Sequence, residues 1–152
     1  VSVRVVALGS ALHRDDGAAL RVAEALGDEV EVIVAGRPGP GLLELLDPAR
    51  PTVLLDAVRL GAAPGAVVEV PLAELPGAAI VWGAVSSHAF GAAQALRLGE
   101  ALGRPLPPGR FLGIGGVRFE PGEGLSPEVE AGLPAWVRAT RRAIAALRDA
   151  ST

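Results

Sequence analysis

Short, nearly continuous apolar runs alternate along this chain with stretches in which apolar residues recur every three or four positions. The first run, VRVVAL at residues 3–8, predicts a buried β-strand. Residues 16–26 follow, with Leu20, Ala23 and Leu26 on one stripe, and predict a helix. A β-branched run at 30–35 predicts a second strand. GRPGPG at 36–41 reads as a loop, and 42–46 as a short helix stopped by Asp47 and Pro48. TVLLD at 52–56 predicts a third strand ending on Asp56, apolar on both faces and so buried on both. Residues 66–70 predict a fourth strand, 83–87 a loop, 88–102 a helix and 110–116 a fifth strand. The last segment predicts a long helix whose stripe is Val129, Leu133, Trp136, Val137, Thr140, Ile144 and Leu147. Arg138, Arg141, Arg142 and Arg148 fall mostly outside that stripe, and Pro134 is expected to kink or restart the helix.

Strands and helices that mostly alternate imply an α/β fold of three layers: a largely parallel, five-stranded twisted sheet with helices on both faces. A length of 152 residues fits one domain spanning 1–152. Half the residues are hydrophobic but only 3% are aromatic, so the core is built from Val, Leu, Ile and Ala. The net charge of −3 and the lack of any basic block argue against nucleic-acid binding. With no cysteine, thiolate catalysis, thiolate metal sites and disulfides are excluded. No apolar stretch approaches the length of a membrane span, and the first strand begins at once, so a soluble cytoplasmic protein is expected.

In open α/β sheets ligands sit beyond the carboxyl ends of the strands. Three ligand-type groups meet that condition: Asp16 after the first strand, Asp56 at the end of the third, and His88 at the start of the third helix. Two carboxylates and an imidazole form a donor set suited to nickel, zinc, iron or manganese, with positions left open for substrate or water. Bland roles exist for each. Asp16 can complement the helix dipole, and His88 can be a surface histidine in a first helical turn. Asp15 is expected to cap the helix by accepting from the amide of Ala18, and Ser126 to cap the last helix with Pro127 in its first position. His13 is expected to be solvated. The Gly9–Ser10 turn lacks the dinucleotide-binding spacing, because Ala7 stands at the first glycine position. No G-x-S-x-G elbow is present.

Four blocks, ALGSALHRDDGAAL, VLLDAVRLGAAPGAVVEV, SSHAFGAAQALRLGEALG and FLGIGGVRFEPGEGLSPEVEAGLPAWV, occur in this order over nearly the whole chain. In sequence and spacing they resemble the nickel-iron hydrogenase maturation endopeptidases, which trim the C-terminal extension of the hydrogenase large subunit. The resemblance implies a metal-dependent endopeptidase whose partner is a nickel-loaded large-subunit precursor. It implies that Asp16, Asp56 and His88 contact the substrate-borne nickel and carry the reaction. Ala7 and Ser10 depart from the family's G-x-G-N turn, Ala19 from a second glycine, and Arg37 stands in a loop where the family has an acidic or histidine residue before a Gly-Gly-Thr-like turn. Arg37 and the 83–87 loop would flank the docking cleft, with Arg37 placed to meet a charged or C-terminal group of the precursor. Two other readings belong to different classes: a non-catalytic module that binds a metal-loaded partner, and another metal-assisted peptidase on the same scaffold.

Overall fold

The computed structural model describes residues 2–59, 62–78 and 91–150. The strands are β1 (Arg4–Leu8), β2 (Glu31–Gly36), β3 (Thr52–Val58), β4 (Val67–Pro71) and β5 (Gly109–Gly115). The α-helices are α1 (Ala18–Leu26), α2 (Ala92–Ala101) and α3 (Pro127–Ala150). Three 3-10 segments, Arg14–Gly17, Gly39–Leu45 and Leu72–Gly77, connect them. The sheet runs in the order β2-β1-β3-β5-β4. All neighbours are parallel except β4, which pairs antiparallel with β5 at one edge. The expected three-layer α/β architecture is therefore present.

Side chains alternate across the pleat, so each central strand feeds two cores. Val5 and Ala7 of β1, Val53 and Leu55 of β3, and Leu112 and Ile114 of β5 pack under α1 and α3. Trp136 of α3 is fully buried there, and its indole N–H donates to the Leu112 carbonyl at 3.2 Å, so its one polar group is not orphaned. Val6, Leu8, Leu54 and Phe111 face the opposite way, against Leu42, Leu72, Leu75 and Leu96 from two 3-10 segments and α2. Each such aliphatic side chain contributes about 1.5–3 kcal/mol by leaving water.

Several boundaries differ from the expected ones for physical reasons. Asp56 is not the last residue of its strand. β5 continues the ladder through Asp56↔Gly113, Ala57↔Ile114 and Val58↔Gly115, whereas β1 pairs with β3 only as far as Ala7↔Leu55. Asp56 is thus the first residue of β3 that β1 no longer covers. The helix expected from residue 16 starts at Ala18, after a 3-10 turn. The helix expected from residue 88 starts at Ala92, because Gly91 is extended and its N–H is held by Gln94 Oε1 at 3.1 Å. Residues 88–90 of that expectation, and the 83–87 loop, lie outside the described residues. Pro134 does not restart α3, which is a single element from Pro127 to Ala150. Pro134 faces solvent, where water can satisfy the carbonyl it leaves unpaired, while Leu133 and Trp136 beside it hold the helix in the core. Among the described residues no helix is long and apolar enough to cross a membrane.

Candidate functional site

The carboxyl edge of the sheet is shaped first by a glycine. β1 ends at Leu8, and Gly9 adopts φ +112°, a conformation that favours glycine. A Cβ at Gly9 would overlap the Asp16 carbonyl, so the turn can close over itself only without a side chain. The Gly9 N–H donates to the Gly36 carbonyl at 2.8 Å, tying this turn to the end of β2. The chain then enters the 3-10 turn Arg14–Gly17, which sends the two adjacent aspartates to different places.

Asp15 turns inward. It is fully buried and accepts four hydrogen bonds: from the N–H groups of Val117 (2.8 Å), Arg118 (2.9 Å) and Ser126 (2.7 Å), and from the Ser126 hydroxyl (2.7 Å). Burial alone would raise its proton affinity. The hydrogen bonds from Arg118, Ser126 and Val117 outweigh burial and hold the carboxyl below its usual value. Asp15 is therefore not the helix cap expected from its position. It clamps the loop after β1 to the loops between β5 and α3. The Ser126 hydroxyl is a donor in that clamp, while Pro127 does take the first helical position. Arg14, at φ +48°, strengthens the same junction: its N–H donates to the Gly122 carbonyl at 3.0 Å and its Nη1 to the Glu123 carbonyl at 3.1 Å.

Asp16 turns to the sheet edge. Its Oδ2 accepts from the Ser10 N–H at 2.8 Å and from Arg37 Nε at 2.9 Å, and its side chain retains 15% exposure. Arg37 follows β2 directly, so it approaches Asp16 from the strand on the far side of β1. Asp56, on β3, approaches from the other side. Its Oδ1 accepts the Ala57 N–H at 2.8 Å. Burial, together with the nearby negative charge of Asp16, pushes its carboxyl up to about 8; the Ala57 bond and the charges of Arg37 and Arg59 only partly oppose this. Two carboxylates are thus brought to one edge within electrostatic reach, and one of them resists ionisation. Such a pair either holds a proton or attracts a cation. The third expected member, His88, lies outside the described residues, and no group of three His, Asp or Glu able to hold an ion occurs among the described ones. His13 is not solvated as expected: it is half-buried, and its Nδ1 is buried without a hydrogen-bond partner among the described residues.

The rim of this edge carries features that periodicity does not signal. Arg59 lies over the Phe119 ring at 4.4 Å. Leu12 and Val117 are exposed at 67% and 44%, on the two loops that Asp15 joins. The Asp15 clamp and the Arg37–Asp16 pair escaped the sequence reading because both depend on loop contacts.

The family model described as hydrogenase maturation protease matches residues 18–142, a span that includes Asp56 and His88. No curated protein sequence matches. Among solved structures, the chain is similar to the hydrogenase maturating endopeptidase HybD from E. coli, with 26% identity and a TM-score of 0.78, covering 99% of this chain and 94% of that one. It is similar to the [NiFe] hydrogenase maturation protease HybD from Thermococcus kodakarensis, with 25% identity and a TM-score of 0.66, over 93% of this chain and 98% of that one. It is also similar to an E. coli endopeptidase solved in solution, with 26% identity and a TM-score of 0.76, over 93% and 92% of the two chains.

Proposed function

Because the chain belongs to the hydrogenase maturation protease family, we propose that it is an endopeptidase that removes the C-terminal extension of a nickel-loaded hydrogenase large-subunit precursor. The observation that carries this reading is the pairing of Asp16 and Asp56 at the carboxyl edge between β1 and β3, with Asp56 held close to neutrality of charge by burial and by Asp16. A cation entering there relieves the repulsion between the two carboxylates. The donor set fits a divalent ion of borderline hardness, and His88 is the proposed nitrogen donor. Nickel belongs to the substrate in this scheme, so docking of the precursor brings the ion to Asp16, Asp56 and His88.

An ion so held would polarise the scissile carbonyl or activate a water, effects worth several kcal/mol of barrier. The protein supplies position and proton handling. Asp16 is fixed by the Ser10 N–H, so its carboxylate is aimed before substrate arrives. A carboxylate at this edge is also placed to take the proton of an attacking water and return it to the leaving amine. One peptide bond is broken, and one water is divided between the new carboxylate and the new amine. The Asp15 clamp holds the 3-10 turn that carries Asp16.

The test is direct. Purified protein is mixed with nickel-loaded and with nickel-free precursor, and the large subunit is weighed by mass spectrometry. Loss of the C-terminal tail only from the loaded form is expected. Asp16→Ala, Asp56→Ala and His88→Ala are each expected to abolish that loss in folded protein. A complex that forms without any mass change would establish a binding module instead. A folded His88→Ala chain that cleaves at the normal rate would remove the imidazole from the site.

A further inference from the structure

We propose that Arg37 is a built-in counter-ion that competes with an incoming cation for Asp16, so that the site rejects a divalent ion free in solution and accepts one delivered by a docked partner. The inference rests on Asp16 being a metal contact and deepens that reading by assigning a specificity role to Arg37.

Arg37 Nε lies 2.9 Å from Asp16 Oδ2, an oxygen that also accepts the Ser10 N–H. The guanidinium therefore occupies one of the two carboxylate oxygens that Asp16 could offer an ion. Its backbone is tethered close by: Arg37 follows Gly36, whose carbonyl receives the Gly9 N–H, and precedes Pro38, which restricts the chain. The side chain itself is 49% exposed, whereas that of Asp16 is 15% exposed. Arg37 can thus swing into water without leaving a cavity, while Asp16 stays in place.

The competition discriminates between two sources of the same ion. A hydrated free cation must displace the guanidinium and shed water in exchange for the site's few ligands. A cation carried on a docked partner has part of its coordination already filled, and the docking interface adds binding free energy that can drive the displacement. An ion entering here must displace the guanidinium and work against its like charge, so removing that charge should tighten cation binding by about tenfold.

Isothermal titration of the metal-free protein with nickel chloride in a non-chelating buffer tests this. Arg37→Gln is expected to bind Ni²⁺ about tenfold more tightly than the unaltered chain, Arg37→Lys to stay within a few-fold of it, and Arg37→Gln combined with Asp16→Asn to lose the gain. Arg37→Met repeats the test if the Gln variant melts early. Equal or weaker binding by the folded Gln and Met variants overturns the proposal, even if Asp16→Asn alone weakens binding and so keeps Asp16 as a metal contact. If Asp16→Asn changes nothing in either background, Asp16 is not a metal contact and the proposal falls with it. Absence of precursor cleavage alongside the expected titrations would overturn only the proposed protease activity.

Discussion

Replacing Asp56 with Asn should make the metal-free protein more stable at neutral pH. The folded chain holds this carboxyl at about 8, against 3.8 for an ordinary aspartate, because it is buried and faces Asp16. Its folded value is raised, so the sign is the reverse of that for a salt-bridged aspartate. Between those two values the unfolded chain has lost the proton and the folded chain retains it. Stability therefore falls as pH rises, by about 1.4 kcal/mol per unit for a fully shifted group. The residue keeps some solvent contact, and we discount the full-range limit of about 6 kcal/mol to roughly 2–4 kcal/mol at pH 7–8. Asn is neutral throughout, has nearly the same shape, and retains an oxygen for the Ala57 N–H. Urea unfolding of both chains in a chelating buffer from pH 4 to 9 measures the difference, in which the titrations common to both chains largely cancel. The stability gap should be small near pH 4, widen towards pH 8 and then level off. A variant no more stable than the parent at pH 7–8, or a gap that does not vary with pH, would refute the assignment of a strained carboxyl.

Asp15→Asn should behave in the opposite way: it sets an amide NH₂ against a cluster of four donors, and should cost about 2–5 kcal/mol at pH 7 by urea unfolding. Because the folded carboxyl of Asp15 lies below its unfolded value, its contribution is present above about pH 4 and is lost as pH falls further, so the gap between parent and variant should narrow in acid. Gly9→Ala should disrupt the β1 turn by forcing a methyl group onto the Asp16 carbonyl; we expect a loss of more than about 2 kcal/mol, and a melting temperature within about 2 °C of the parent, equivalent to roughly 0.5–1 kcal/mol, would contradict that overlap. Trp136→Phe keeps most of the core volume but removes the indole donor to Leu112, and calorimetry should register a loss of about 1–3 kcal/mol.

The layered fold was legible because the central strands are buried on both faces and so appear as unbroken apolar runs. Residues 3–8 and 110–116 were read to within a residue or so on that basis. The same criterion ended the third strand too soon. The apolar run breaks at Asp56, but the backbone ladder to β5 continues through Val58, and hydrogen bonds between main chains leave no mark in composition. The meeting of Asp16 and Asp56 at one sheet edge was legible because the end of a parallel strand is a position that hydropathy reveals. The role of Asp15 was not, since its partners lie 102 to 111 residues away and a helix cap is the nearest local explanation for an acid at that place. The pairing of Arg37 with Asp16 was hidden for the same reason: residues 21 apart meet only because β2 lies beside β1.

The adjacent aspartates also carry a lesson for comparing homologues. Asp15 and Asp16 are chemically identical and share a peptide bond, yet one serves the cohesion of two loops and the other, on the proposed function, serves whatever arrives at the sheet edge. Variation in the first column of such a doublet would track cellular abundance and, on the proposed function, variation in the second would track turnover. An alignment that scores the doublet as one motif merges two selective pressures that this fold keeps apart.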